Sequence, residues 1–128
     1  MERKTILVVD DEKDFGETII MMLESAGKYD VITAFDGKEG VKKAGMMKPD
    51  LILLDIKMPE MDGLEALKIL KENSATMKIP VIMLTACSDD IYKLRACQLY
   101  NEDYLVKPVK TEELIATVEK VLGRREIK

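Results

Sequence analysis

The chain has 128 residues, 47% hydrophobic and 34% charged, which is the composition of one globular domain large enough to bury a core. Its net charge is −4 and the 20 basic residues are scattered among 24 acidic ones, so no basic stripe predicts direct contact with nucleic acid. No apolar run approaches the ~18 residues of a membrane helix, and acidic residues directly follow the short N-terminal apolar run, so we expect a cytoplasmic protein without a signal peptide or a membrane partner.

Short apolar runs recur along the chain and are predicted as five β-strands. The predicted strands are residues 6–9, 31–32, 51–54, 81–84 and 104–106. Most of them are continuously apolar rather than alternating, which is typical of strands that helices cover on both faces.

Amphipathic segments between the strands are predicted as helices. The first has an apolar face made of Phe15, Ile19, Met22, Leu23 and Ala26. Asp36 with Glu39, and Asp62 with Glu65, have the three-residue spacing of a capping box at the start of a helix. The last helix is predicted to begin at Thr111 and end at Gly123, and its apolar face consists of Leu114, Val118, Val121 and Leu122.

This alternation predicts an α/β fold of five β-α repeats, with a parallel sheet between two layers of helices. One domain is expected over residues 1–123, and residues 124–128 are expected to be a charged tail or the start of a linker. Cys87 and Cys97 lie ten positions apart in the predicted fourth helix, about 15 Å along its axis, which is too far for a disulfide.

Polar side chains follow four of the five predicted strands. They are Asp10 and Asp11 after the first strand, Asp55 after the third, Thr85 after the fourth and Lys107 after the fifth. The carboxyl ends of parallel strands lie at one edge of the sheet, where open α/β sheets bind their ligands. We therefore expect these side chains to converge.

Their chemistry predicts phosphoryl transfer assisted by a metal ion. Oxygen ligands with a charge near −3 suit Mg²⁺, and the absence of histidine excludes schemes based on that residue. The Asp55 carboxylate, held between Mg²⁺ and the Lys107 ammonium, could attack phosphorus and form an acyl phosphate. Thr85 could bond a phosphoryl oxygen only once the phosphate is present, which is the behaviour of a switch.

Each of these residues also has an ordinary explanation. Asp11 could cap the first helix, Thr85 could be a strand-end threonine and Lys107 could be solvated. Asp55 is harder to explain in this way, because it ends an apolar run where an isolated charge is costly. The prediction depends on the combination at one edge of the sheet.

The motifs resemble those of the receiver domains of bacterial response regulators. The similar segments are ILVVDDE at 6–12, DLILLDIKMPEMDG at 50–63, VIMLTA at 81–86 and DYLVKP at 103–108, in the order of that family. The resemblance covers nearly the whole chain. It implies a flavodoxin-like three-layer sandwich with strand order 2-1-3-4-5, switched by transient phosphorylation.

The resemblance also implies roles for residues of the site. Asp55 would be the phosphoacceptor, and Thr85 and Lys107 would contact the phosphoryl group. Mg²⁺ would be bound directly by Asp11, by Asp55 and by the backbone carbonyl of Lys57, with Asp10 acting through water.

For the output of the switch, the resemblance implies that Tyr104 turns inward as Thr85 moves toward the phosphate. It also implies a cis peptide between Lys107 and Pro108, and an output face made by the fourth helix, the fifth strand and the fifth helix. Tyr100-Asn101 stands where the family commonly has Gly-Ala, so the end of the fourth helix is expected to differ.

The partner implied by the resemblance is a sensor histidine kinase or a histidine phosphotransfer protein, which would deliver the phosphoryl group from a phosphohistidine. The signal would pass to a downstream protein or an output domain. The domain would be a monomer or a weak phosphorylation-dependent dimer. It would catalyse only its own phosphorylation and dephosphorylation, so it is not expected to be an enzyme with an external substrate.

Two other classes share parts of this pattern. A haloacid-dehalogenase-like Mg²⁺ phosphatase also uses a strand-end aspartate, but it has a second aspartate two residues later, where this chain has Lys57. A flavin-binding flavodoxin-like module should have a loop rich in Ser, Thr and Gly after the first strand, where this chain has Asp10, Asp11 and Glu12. We further hypothesise that the Lys57 side chain, at the mouth of the site, alters the lifetime of the acyl phosphate.

Overall fold

The computed structural model describes residues 3–86 and 102–126, and within these residues it shows one parallel sheet with helices on both faces. The strands are β1 (Lys4–Val9), β2 (Tyr29–Ala34), β3 (Leu51–Asp55), β4 (Val81–Thr85) and β5 (Asp103–Val106). The helices are α1 (Lys13–Ser25), α2 (Gly37–Met47), α3 (Gly63–Glu72) and α4 (Thr111–Glu126). The strand order is β2-β1-β3-β4-β5, so the predicted α/β class and the order 2-1-3-4-5 are confirmed.

Two apolar layers cover the sheet. On one face, Ile6, Val8, Leu53 and Leu84 pack with Ile19 and Leu23 of α1 and with Leu114 and Val118 of α4. On the other face, Leu7, Val9, Ile52 and Leu54 pack with Ala44 of α2 and with Ala66, Leu67 and Leu70 of α3. Because successive residues of a strand point to opposite faces, both sets of residues must be apolar, and this accounts for the continuous apolar runs.

The helix starts follow the predicted capping pattern. The Asp36 side chain accepts a hydrogen bond from the Glu39 N–H at 2.7 Å, and the Asp62 side chain accepts one from the Glu65 N–H at 2.9 Å. The last helix begins at Thr111, as predicted.

The predicted end of the last helix at Gly123 is wrong. The helix continues to Glu126, so residues 124–126 belong to α4. Glycine ends a helix when it adopts the left-handed conformation, and Gly27 is the described glycine that has a positive φ. Gly123 follows Val121 and Leu122, whose burial against the core holds this turn in helical form at a cost of about 1 kcal/mol for an interior glycine.

The helix predicted for the fourth repeat falls on residues outside the described ranges. This applies to the expectations for Cys87, Cys97 and Tyr100-Asn101. Among the helices that the structure describes, none is both long and apolar enough to cross a bilayer.

The connection from β3 to α3 depends on a close approach at Gly63. The Gly63 N–H donates to the Ile56 carbonyl at 2.7 Å, which folds the connection back onto the end of β3. A Cβ atom at residue 63 would lie 2.1 Å from the carbonyl oxygen of Asp55, a distance that only a shift of the backbone could relieve. The start of α3 can therefore lie against Asp55 only because residue 63 has no side chain.

Replacing Gly63 with alanine is expected to lower the free energy of unfolding by about 2–4 kcal/mol, because the new methyl group collides with backbone rather than with a flexible side chain. The matched control is Gly45→Ala in α2, where a Cβ would meet nothing within 4 Å. Alanine at position 45 should stabilise the helix by up to about 1 kcal/mol. Urea denaturation of both variants measures the difference, and equal stabilities would contradict the close approach.

Candidate functional site

The carboxyl ends of four strands place the predicted site residues at one edge of the sheet. Asp55 is the last residue of β3 and Thr85 is the last of β4, while Asp10 and Lys107 directly follow β1 and β5. Hydrogen bonds between strands continue beyond the strand ends. The Lys107 N–H donates to the Thr85 carbonyl at 2.7 Å, and the Asp10 N–H donates to the Ala34 carbonyl at 3.1 Å. The sheet thus brings together residues that are far apart in the sequence.

Three carboxylates meet at this edge. Asp10, Asp11 and Asp55 each offer an oxygen, and these oxygens all lie within 4.8 Å of one another. Asp10 and Asp55 are only 2% and 4% exposed, whereas Asp11 is exposed. The alternative in which Asp11 caps the first helix is wrong, because the N-cap residue of α1 is Glu12. The Glu12 N–H instead donates to the Asp10 side chain at 2.8 Å, which orients the Asp10 carboxylate.

The Lys107 ammonium lies among the acidic side chains. Its Nζ is 3.2 Å from Oδ1 of Asp55, 3.3 Å from Oδ2 of Asp10 and 3.6 Å from Oε1 of Glu12. The Lys107 side chain is only 13% exposed, so water weakens its attraction to these carboxylates very little. The alternative in which Lys107 is a solvated lysine is therefore wrong.

An aromatic ring completes the surroundings of the Lys107 ammonium. Nζ lies 4.1 Å from the centroid of the Phe15 ring, which is within the range of a cation–π contact. From the sequence, Phe15 was assigned only to the apolar face of the first helix, because helical periodicity indicates the face of a residue and not its partner across the fold. The sequence did contain a signal for this contact, since Phe15 is an aromatic residue in the first helical turn after the acidic residues Asp10 and Asp11.

Burial controls the electrostatics of the acidic side chains. It raises the pKa of Asp55 to about 6, and the negative charge of Asp10 adds to this effect while the charge of Lys107 opposes it. Burial also raises the pKa of Asp10 above its ordinary value, against the hydrogen bond from Glu12 and the charge of Lys107. For Lys107, burial acts to lower the pKa, but the charges of Asp55 and Asp10 prevail and raise it.

This charge distribution fits a divalent cation. The Lys107 ammonium offsets one of the three negative charges. Burial, with the charge of Asp10 added to it, still raises the pKa of Asp55. Oxygen donors from carboxylates, one of them exposed to solvent, are the ligands that Mg²⁺ accepts while keeping several waters. The acidic cluster of Asp10, Asp11 and Asp55 is thus compatible with Mg²⁺.

The remaining predicted residues are buried to different degrees. The Thr85 side chain is buried at the end of β4, and Lys57 is exposed between the buried residues Ile56 and Met58. Tyr104 is partly buried and packs against the apolar layer on the α2 and α3 face of the sheet. The peptide bond between Lys107 and Pro108 is cis.

The sequence profile of the response regulator receiver domain matches residues 6–119. The chain belongs to this family. It is similar to the alkaline phosphatase synthesis transcriptional regulatory protein PhoP of Bacillus subtilis, with 44% identity over 124 residues that cover 97% of the chain and 50% of PhoP. The resemblance inferred from the motifs is confirmed, and the chain is a receiver domain of the two-component response regulators.

Two solved structures of receiver proteins are close in both fold and sequence. The chemotaxis protein CheY4 of Vibrio cholerae superposes with a TM-score of 0.84 at 33% identity, covering 93% of this chain and 98% of CheY4. The receiver domain of a sensor histidine kinase from Pseudomonas aeruginosa also has a TM-score of 0.84, at 32% identity, covering 94% and 98% of the two chains. That second structure has a magnesium ion coordinated in its active-site cleft.

The receiver chain spans about half the length of the curated relatives it matches, with 50%, 54% and 49% of three of them covered. These relatives are named as transcriptional regulators, and the regulator of Synechocystis is named as DNA-binding. The expectation of no direct contact with nucleic acid accordingly concerns the receiver residues and not such longer proteins.

Asp55→Asn is expected to stabilise the metal-free receiver at neutral pH. Because the pKa of Asp55 is raised to about 6, its ionised form is disfavoured in the folded state, and this penalty is complete only above that pH. As the pH falls from 6 toward 4, the folded protein protonates Asp55 and the penalty disappears. The variant should exceed wild type by about 3 kcal/mol at pH 7.5 and by less than about 1 kcal/mol at pH 4.

Urea denaturation in the presence of a chelator measures this difference at each pH. The matched control is Asp36→Asn, because Asp36 is an exposed N-cap residue and asparagine caps helices as well as aspartate does. A difference between Asp55→Asn and wild type that stays constant from pH 4 to 7.5 would contradict the raised pKa.

Proposed function

We propose that this receiver is switched by phosphorylation of Asp55, with the phosphoryl group coming from a phosphohistidine of a sensor histidine kinase or a histidine phosphotransfer protein. The observation that carries the proposal is the buried Asp55 carboxylate with the Lys107 ammonium 3.2 Å away. The carboxylates of Asp10 and Asp11 lie beside it. The exposed residues Asp11 and Lys57 provide a side from which a phosphodonor can approach.

In the proposed transfer, an Asp55 carboxylate oxygen attacks phosphorus and the bond from phosphorus to the donor nitrogen breaks. The imidazole of the donor leaves with the electron pair of that bond and takes up a proton. Lys107 remains protonated, consistent with its raised pKa, and its charge offsets the charge that develops on the phosphoryl oxygens. Hydrolysis reverses the state: water attacks phosphorus, the bond to Asp55 breaks, and inorganic phosphate leaves.

The proposed ligands of Mg²⁺ are Asp11, Asp55 and the backbone carbonyl of Lys57, with Asp10 acting through water. When bound, the ion would supply positive charge to the carboxylates and the transferring phosphoryl group. Three carboxylates offset by one ammonium support this assignment, as does the magnesium coordinated in the related receiver of Pseudomonas aeruginosa.

The signal is proposed to pass through Thr85 and Tyr104. Once Asp55 carries a phosphoryl group, the Thr85 hydroxyl moves to bond one of its oxygens, and Tyr104 turns inward. The hydrogen bond from the Lys107 N–H to the Thr85 carbonyl joins β4 to β5 at the site, and Tyr104 lies opposite Met83 in the same pair of strands. A displacement of Thr85 would therefore be passed to β5, and the proposed output face consists of the predicted helix of the fourth repeat, β5 and α4.

The output is proposed to be a downstream protein or a further domain, because transcriptional regulators about twice as long are among the relatives of this chain. The receiver itself would act as a monomer or a weak phosphorylation-dependent dimer. It would catalyse only its own phosphorylation and dephosphorylation. The phosphatase alternative lacks its general acid here, since the position two residues after Asp55 is the exposed Lys57.

Incubation with acetyl phosphate and Mg²⁺ is expected to add one phosphoryl group to wild type, measured by intact mass spectrometry. Asp55→Asn should gain none, because an amide does not attack phosphorus, whereas Asp36→Asn should gain as much as wild type. Beryllofluoride, a stable mimic of the phosphoryl group, should bind wild type under the same conditions. An unmodified wild type, or equal modification of wild type and Asp55→Asn, would refute the proposal.

Lys57→Met is expected to shorten the lifetime of the acyl phosphate by about two- to fivefold, because the exposed ammonium two residues after Asp55 would pair with the phosphoryl group and shield it from water. Lys57→Arg should keep the wild-type lifetime. Lys68→Met, on the exposed side of α3, is the control for loss of a surface charge. Release of phosphate after removal of the donor measures the lifetime, and equal rates for Lys57→Met and wild type would contradict this role.

A further inference from the structure

We propose that Phe15 is a positioning residue for Lys107: the face of its ring holds the ammonium over the Asp55 carboxylate and so sets the rate of phosphoryl transfer. This inference rests on the proposed function of Asp55. Its starting observation is the distance of 4.1 Å between the Lys107 Nζ and the centroid of the Phe15 ring.

The ring lies against an ammonium that is already surrounded by acceptors. Asp55 and Asp10 approach Nζ at 3.2 and 3.3 Å, and Glu12 approaches it at 3.6 Å. The face of an aromatic ring attracts a cation without acting as a strong hydrogen-bond acceptor. Phe15 therefore stabilises the buried charge while leaving the ammonium N–H groups for the carboxylates and for an incoming phosphoryl oxygen.

The position of the ring is determined by the same turn that carries the acidic side chains. Glu12 occupies the N-cap position of α1, its N–H donates to the Asp10 side chain, and its carbonyl accepts from the Gly16 N–H at 3.0 Å. Phe15 lies within this first turn and packs against the apolar layer that contains Ile19 of α1. The ring is therefore part of the scaffold of the site and is not a surface side chain that happens to cover Lys107.

An aliphatic side chain at position 15 would retain the packing but would lose the attraction for the cation. Water would still be displaced from that side of the ammonium, and burying a charge without compensation is unfavourable. Lys107 would then be drawn toward the more exposed carboxylate of Glu12 and away from Asp55. The ammonium would have to return before it could offset the charge on the phosphoryl oxygens, and this would slow the transfer.

The first test compares rates of phosphorylation by acetyl phosphate with Mg²⁺ in wild type, Phe15→Leu, Phe15→Tyr and Phe15→Trp. Phe15→Leu should be slower than wild type by about two- to tenfold, the range expected for loss of a partly buried cation–π contact. Phe15→Tyr and Phe15→Trp should retain the wild-type rate within about twofold, because both rings attract cations. Phe35→Leu makes the same chemical change to an exposed ring at the end of β2 and should leave the rate unchanged.

The second test asks whether the effect of Phe15 operates through Lys107. In a Lys107→Met background, Phe15→Leu should cause no further slowing, because there is no cation for the ring to hold. Urea denaturation of each variant reports any loss of packing separately. In the unphosphorylated protein, the ring current of Phe15 should shift the NMR signals of the Lys107 Cε protons upfield, and Phe15→Leu should abolish this shift.

The outcomes separate this inference from the function on which it rests. If wild type is phosphorylated but Phe15→Leu reacts at the wild-type rate, the role of Phe15 is refuted and the role of Asp55 stands. The same conclusion follows if Phe15→Tyr and Phe15→Trp are as slow as Phe15→Leu, or if Phe15→Leu slows the Lys107→Met background equally. If wild type gains no phosphoryl group, the proposed function and this inference both fail.

Discussion

Two buried carboxylates and one partly buried ammonium share the carboxyl edge of the sheet, and the rest of the structure is arranged around that electrostatic constraint. Asp10 and Asp55 are almost fully removed from water, and Lys107 lies within 3.3 Å of both. The ammonium does not offset all of the negative charge, because Asp11 lies at the same edge. Burial raises the pKa of Asp55, and the negative charge of Asp10 adds to this effect. The remaining negative charge favours the binding of a cation at this edge of the sheet.

The fold maintains this arrangement by placing rigid backbone behind each charged side chain. The Glu12 N–H orients Asp10 at the start of α1, and the hydrogen bond from Lys107 to the Thr85 carbonyl ties β5 to β4. Gly63 lets the start of α3 lie against the backbone of Asp55. Because both faces of the sheet are covered by apolar layers, these strand ends have little freedom to separate, and charges that repel one another stay close together.

Particular elements show how far the sequence was sufficient. The continuous apolar runs indicated buried strands, and the capping pairs Asp36 with Glu39 and Asp62 with Glu65 marked two helix starts, because both signals act over a few residues. The end of α4 was predicted wrongly at Gly123. A local signal indicated a stop there, whereas burial of the preceding turn keeps the backbone helical. Local sequence patterns thus predicted the features that depend on interactions between nearby residues. They failed where packing against distant residues determines the backbone conformation.

The sequence by itself determined the fold class, the family and the types of side chain that follow each strand, because periodicity and residue chemistry are properties of the chain. Only the tertiary structure decided how deeply Asp10 and Asp55 are buried, and burial is the main cause of their raised pKa values. It also decided that Lys107 lies over the ring of Phe15, 92 residues away (107 − 15). Helical periodicity predicted that Phe15 faces the interior. It could not predict that Lys107 is the cation in contact with the ring, because that contact depends on how the strands are ordered in the folded sheet.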